Sequence, residues 1–256
     1  MLTLLLALMA AGQGRRPSHD VIGPLSHIQP PSAGYSFPDG VTYVYAADWR
    51  IWPAGTATLR LERSGNEQRA VGTVDSTGFV ALLYRVQDRF ESRFNPLTFC
   101  SQQISKHTEE GLRRRQTDIR FDYGRRKSVL EETNLRDNQK RRSEADIPGC
   151  VTDVLSGIYY VASLPLQVGA TYVFPWNDGG RTVDIHLAVE GREQIKTDAG
   201  TFSTLRVRPD ATEGVLKDRG KAWIWYSDDA QRIPVQIQAR LFWGPLTFKL
   251  QRIERQ

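Results

Sequence analysis

Two cysteines and four histidines are all the thiolate and imidazole metal ligands this chain of 256 residues has to offer. His19, His27, His107 and His186 lie far apart, and none stands at ligand spacing from Cys100 or Cys150, so no metal-site pattern is present. There is no Gly-x-Ser-x-Gly elbow, no Gly-rich phosphate loop opening a helix and no His-Glu-x-x-His pair. The common signatures of nucleophilic, phosphoryl-transfer and zinc-hydrolase chemistry are therefore missing. No cofactor is implied, and the chain reads as a non-enzyme. The apolar run Met1 to Ala11 is too short to cross a bilayer. It has no Lys or Arg before it, but Ala10, Ala11 and Gly12 supply small residues for cleavage, so residues 1–12 read as a signal peptide. No Cys follows the run, which removes the lipid anchor of a bacterial lipoprotein.

What is present is ordinary globular composition, 40% hydrophobic and 25% charged. Residues 13–40 are rich in Pro, Gly, Ser and His without periodicity and read as a flexible linker. From 41 to 256 a single antiparallel β domain is expected, because apolar residues alternate with period two between turn residues. In VTYVYAADW, Val41, Tyr43, Tyr45, Ala47 and Trp49 share a face, and in ATLRLER, Ala57, Leu59 and Leu61 do. TDIRFDY and RIPVQIQARL repeat the pattern, and Ser64-Gly65-Asn66, Asn177-Asp178-Gly179-Gly180 and Asp198-Ala199-Gly200 supply positive-φ turn positions.

Two stretches depart from this rhythm. Val154, Leu155, Ile158, Tyr159 and Ala162 fall at helical spacing, predicting a helix from Asp153 to Leu164 with Thr152 as its cap, and TGFVALLY is a candidate short helix. Roughly a dozen strands cannot stay open and flat without exposed edges. The fold class is thus all-β with one or two short helices: a large curled antiparallel sheet, half-barrel or barrel-like, with a helix as plug or lid.

Cys100 and Cys150 form a disulfide if the compartment is oxidising, or else remain two buried thiols. A bridge closing so long a loop would stabilise the fold by about 4 kcal/mol in the chain-entropy model. In KAWIWYS, Trp223 and Trp225 take one face and Ala222, Ile224 and Tyr226 the other, so the strand is covered on both sides. It is either a central core strand or one wall of a ligand pocket lined by Tyr159, Tyr160, Trp223 and Trp225. Trp49, Trp52 and Trp243 read as strand-end packing.

Basic runs at Arg113, Arg114 and Arg115, at Arg125, Arg126 and Lys127, and at Lys140 to Arg142 could meet an anionic membrane surface. Between Lys106 and Asp146, however, twelve Lys or Arg face nine Asp or Glu, with no stacking aromatics among the Arg runs. That balance fits a solvated mixed-charge hairpin and disfavours nucleic acid. Asp88, Glu91, Asp118 and Asp122 sit among arginines and read as cross-strand ion pairs rather than as acid/base catalysts.

Five segments together resemble a bacterial family, the domain of unknown function numbered 3108: YVYAADWRIWPAGTATLRL, DSTGFVALLYRVQDRFES, EGLRRRQTDIRFDY, DVLSGIYYVASLPLQVGATYVFP and KTDAGTFSTLRVRP. The most specific marks are Ala199 to Val207 and the strand start at Leu166 to Gly169. The resemblance implies an exported, β-rich bacterial protein and no reaction. The leading expectation is a non-enzymatic periplasmic binding or carrier protein for an apolar or amphipathic cell-envelope component. The alternatives are a structural or assembly factor contacting another envelope protein, and a carboxylate-dependent hydrolase.

Overall fold

Period-two alternation becomes fourteen antiparallel strands in the computed structural model, which describes residues 28–177, 181–211, 221–241 and 244–255. The strands form one sheet in the order β8-β7-β6-β5-β4-β3-β2-β1-β14-β13-β12-β11-β10-β9. β1 (Val41–Trp49) and β14 (Gly244–Arg255) are neighbours at its middle, pairing Val41 with Arg255 and Trp49 with Leu246. From β1 the chain meanders outward through β2 (Trp52–Ser64), β3 (Glu67–Ser76), β4 (Val86–Phe94), β5 (Ser101–Glu110), β6 (Arg113–Asp122), β7 (Lys127–Asn134) and β8 (Lys140–Asp146). It then crosses to the opposite edge and returns through β9 (Thr171–Asn177), β10 (Thr182–Thr197), β11 (Gly200–Ala211), β12 (Lys221–Ser227) and β13 (Pro234–Leu241). Helix α1 (Gly78–Leu83) interrupts the β3–β4 connection, and α2 (Val154–Ser163) makes the crossing.

The contacts of α2 require the sheet to curl. On one side Leu155 lies over Gly72 of β3, and the Tyr159 and Phe94 rings stack with centroids 6.4 Å apart. On the other, Tyr160 meets Phe174 of β9 at 5.0 Å, and the Tyr226 hydroxyl of β12 donates to the Ile158 carbonyl at 2.9 Å. β4 and β9 stand nine places apart in the sheet order. Laid flat, nine spacings of ~4.8 Å would separate them by about 43 Å, whereas a ten-residue helix is ~15 Å long. The sheet must therefore wrap around α2, whose Leu155, Tyr159, Tyr160, Val161 and Ala162 are buried in the main core.

The sheet is not closed by strand pairing. At one end, Val151 and Thr152 bridge the gap: the Val151 carbonyl accepts from Ser101 N of β5, and Thr152 exchanges backbone hydrogen bonds with Pro175 and Asn177 of β9. Cys100 and Cys150 are joined by a disulfide immediately beside this splice. β6 to β8 extend beyond it as a flap, where Ile119 and Leu130 form a small core with Ile104 of β5.

Two expectations about the chain's non-strand parts are corrected. The helix cap is Asp153, not Thr152: its carboxyl accepts from Leu155 N and Ser156 N while Ser156 Oγ accepts from Asp153 N, a reciprocal capping box. Thr152 is already committed, since its hydroxyl donates to the Pro175 carbonyl. The stretch 13–40, read as a flexible linker, is in its described part a strap across α2. Ser32 N donates to the Ser163 carbonyl, Gln29 N to the Tyr160 hydroxyl, and Phe37 packs between Phe94 and Phe99. Aromatic anchors spaced through a Pro- and Gly-rich segment order it without regular structure. Residues 1–12, read as a signal peptide, lie outside the described residues.

Close approach dictates one glycine. Gly55 of β2 pairs with Ser76 of β3, and a Cβ there would lie 2.0 Å from the Asp75 carbonyl oxygen and 2.9 Å from Ser76 Cα. Both are backbone atoms that cannot step aside. Gly55→Ala is expected to cost about 3 kcal/mol or more in urea unfolding, as strained overpacking does. A change under about 0.5 kcal/mol would mean the two strands separate at no cost there.

Candidate functional site

The four aromatic residues proposed as one pocket do not meet. Tyr159 and Tyr160 belong to α2 and are 2% and 1% exposed, packed inside the curl. Trp223 and Trp225 of β12 point to the outer face, because Tyr226 and Ile224 take the inner one. Their indole nitrogens donate to Glu190 and Glu193, which also pair with Arg206 and Arg208. The Arg240 guanidinium lies 5.8 Å from the Trp223 ring, so the indoles are held in a partnered polar layer. Alternation separates the two faces of β12 correctly, but its sign follows from the curl.

Among the described residues, core side chains pack around α2. Tyr35, Phe37, Phe94, Phe99, Tyr159, Tyr160 and Phe174 form a continuous chain of ring contacts and core packing. A recess of about 220 Å³ lies at the strap end, between Phe37, Tyr43, Ile233, Ile253 and Arg255. That is below the ~300 Å³ at which small-molecule pockets begin. Burial pushes the Tyr159 and Tyr226 hydroxyls well above the ordinary tyrosine pKa, and that of Tyr43 up to about 12.

Tyr159 Oη is buried without a hydrogen-bond partner among the described residues. Tyr159→Phe removes an unpaired polar group without changing the packing. It is expected to raise unfolding stability by about 1 kcal/mol. A loss of that size instead would show that the hydroxyl is paired.

Asp88 and Glu91 fall on opposite faces of β4. Asp88 is buried and accepts from Glu109 N, whereas Glu91 pairs outside with Arg69 and Arg93. Asp118 accepts from Gln116, and Asp122 holds the turn by accepting from Arg125 N. The deepest carboxyl group is that of Asp153, to which Ser92 and Ser101 each donate at 2.5 Å. With two backbone donors added, its oxygens are fully occupied in capping α2. Among the described residues no cluster of three or more His, Cys, Asp or Glu could hold a metal ion.

The basic runs divide between the two ends of the sheet. Arg113, Arg114, Arg115 and Lys140 to Arg142 adjoin the β5–β6 and β7–β8 turns, while Arg125, Arg126 and Lys127 form the β6–β7 turn at the other end. Many are ion-paired across strands: Arg114 with Glu109, Arg115 with Glu132, Arg125 with Glu144, Lys127 with Asp146, and Arg142 with Glu131. Such exposed pairs contribute little stability and chiefly keep the flap's edge strand charged.

One feature was missed in the sequence. Among the described residues, eight of the eleven exposed large hydrophobic ones lie at a single end of the sheet. Ile51 and Trp52 occupy the β1–β2 turn, Phe79, Leu82, Leu83 and Tyr84 belong to or follow α1, Leu112 sits in the β5–β6 turn and Leu135 in the β7–β8 turn. Antiparallel pairing places all four connections on the same rim. They also touch one another in series: Thr77 N donates to the Ala54 carbonyl, Gly111 N to Arg85, Leu135 N to Arg114, and the Arg136 guanidinium to the Leu112 carbonyl. Trp52, expected to pack at a strand end, is 61% exposed here, and Trp243 lies outside the described residues. The available signal was apolar residues at turn centres, where polar ones are the rule.

A likeness to one solved structure supports the architecture. A β-barrel-like protein of the unknown-function domain DUF1849 from Brucella abortus matches with a TM-score of 0.55 at 9% identity, over 90% of this chain and 99% of that one. A protein described as exported, with a YmcC-like fold, from Bacteroides fragilis matches at 0.39 and 8% identity, over 86% and 98% of the two chains. No curated protein matches the chain. The family model for proteins of unknown function DUF3108 matches residues 44–251, in agreement with the resemblance carried by the five segments above. The chain belongs to the DUF3108 family.

Proposed function

We propose that this protein is an exported, non-catalytic binding protein of the bacterial cell envelope, which holds an apolar or amphipathic envelope component at the rim formed by α1 and the neighbouring turns. The observation that carries the reading is the concentration of exposed large apolar side chains at that rim. Soluble domains rarely leave so many together without a use for them. Export is supported by the apolar N-terminal run with its small-residue end and by the Cys100–Cys150 disulfide, a bond that persists in oxidising compartments.

A ligand buried beside Tyr159 and Tyr160 is not favoured, since core side chains occupy that space. The alternative of an assembly factor joining partners by its sheet edge has little support either: β8, Lys140–Asp146, is charged along its length, which discourages strand addition.

The test is lipid extraction and native mass spectrometry of the full chain purified from its own envelope. An apolar or amphipathic component should co-purify, and Leu82→Asp should reduce its retention. Protein recovered empty, with L82D indistinguishable from the native chain in envelope fractionation, would overturn the reading.

A further inference from the structure

Resting on that reading, we infer that the occupant of the rim is the surface of an anionic bilayer, on which the protein docks with its sheet end-on. The argument starts from shape. Ile51, Leu112 and Leu135 stand at turn tips, and α1 turns the usual amphipathic pattern outward: Phe79, Leu82 and Leu83, spaced i, i+3, i+4, share an exposed face while Val80 is buried. Short apolar projections from rigid turns suit the shallow headgroup boundary of a membrane, where apolar groups enter by several ångströms and need no matching groove.

Charge selects the kind of surface. The four rim segments, 50–52, 77–85, 109–115 and 135–142, hold nine Arg or Lys against three Asp or Glu. Of those acids Glu110 is buried, and Glu109 is paired with Arg114. Arg50, Arg85, Arg113, Arg136, Lys140 and Arg141 are exposed beside the apolar tips. Cations interleaved with projecting apolar groups complement anionic headgroups over hydrocarbon, a pairing that a neutral apolar ligand or an acidic peptide would use only in part. The opposite end carries a basic turn at Arg125 to Lys127, but the exposed large apolar residues on that side, Leu97 and Val168, lie on other connections, so among the described residues charge and a cluster of apolar tips coincide at the rim.

The experiment is flotation of the full chain with phosphatidylcholine vesicles, with and without about a third phosphatidylglycerol. Binding is expected to the anionic vesicles alone, and to be largely lost at about 1 M salt, where the screening length falls to ~3 Å. Phe79→Asp with Leu82→Asp should abolish it, and Arg113→Gln with Arg136→Gln should weaken it roughly tenfold. Arg125→Gln with Arg126→Gln removes the same charge from the other end and should leave binding nearly unchanged. Equal weakening by this control pair would overturn the placement. Absence of vesicle binding, while an envelope component still co-purifies with the native chain, would overturn the membrane occupant and leave the proposed function standing. Concentration-dependent self-association broken by the Asp variants, with no vesicle binding, would replace the membrane with a second copy of the chain.

Discussion

Asp153→Ala is expected to destabilise the protein by about 5 kcal/mol, the largest effect of any single truncation argued above. Four donors converge on this one carboxyl group: Leu155 N and Ser156 N from the first turn of α2, and the hydroxyls of Ser92 on β4 and Ser101 on β5. All of these groups are buried, so the alanine variant would leave the Ser92 hydroxyl and two helix-end amides without partners and without water, and the Ser101 hydroxyl with only Ser156 Oγ, at 3.0 Å. The cap alone is worth ~1 kcal/mol, and the rest comes from the stranded donors. Because the same residue ties α2 to β4 and β5 beside the Val151–Thr152 splice, the loss should appear as a lower urea midpoint with a native-like circular dichroism spectrum before unfolding. Ser92→Ala should cost less, about 1–2 kcal/mol, since it removes a donor and leaves an acceptor with other partners. A change under about 1 kcal/mol in the Asp153 variant would show that α2 is held by packing alone.

Alkaline pH should unfold the protein in one cooperative step. Burial raises the hydroxyl pKa of Tyr35, Tyr43, Tyr45, Tyr123, Tyr159 and Tyr226 above the ordinary value of 10.0. Above that value the unfolded chain sheds protons that the folded chain keeps, so the folded state binds more protons and stability falls as pH rises. Each such group contributes up to about 1.4 kcal/mol per pH unit, and six acting together exhaust a typical margin of 5–15 kcal/mol within about one to two units above pH 10. Below pH 10 these groups should leave stability flat. The check is tyrosinate absorbance recorded together with far-ultraviolet circular dichroism. Both should change at the same midpoint, above pH 10. Titration of all tyrosines near pH 10 with the native dichroism intact would mean that the interior is wet.

Much of this architecture is written in local pattern. Alternation in Val41 to Trp49 and Ile233 to Leu241 marks half-buried strands, helical spacing from Val154 to Ala162 marks the plug, and the isolated cysteine pair marks the bridge. The remainder depends on how the sheet curls, which no local pattern specifies. Trp223 and Trp225 can be assigned to one face of β12 from the sequence, but the face turned inward is decided by Tyr226 reaching Ile158 across the curl. Thr152 and Asp153 are both good caps, and the choice falls to Asp153 because β9 engages Thr152 first. The rim was illegible for a related reason. Ile51, Trp52, Leu112 and Leu135 look like strand-end core residues one turn at a time, and become a surface only when four connections are brought to one edge.

The central claim is that contact with the envelope is made at this rim and not through the aromatic interior or the tryptophan face. It is tested most directly by placing a photo-crosslinking amino acid at Leu82 or Leu112 and, as controls, at Leu97 or Trp223, and irradiating living cells that express the full chain. The rim positions should yield adducts with envelope material while the controls stay clean; adducts confined to Leu97 or Trp223 would contradict the account.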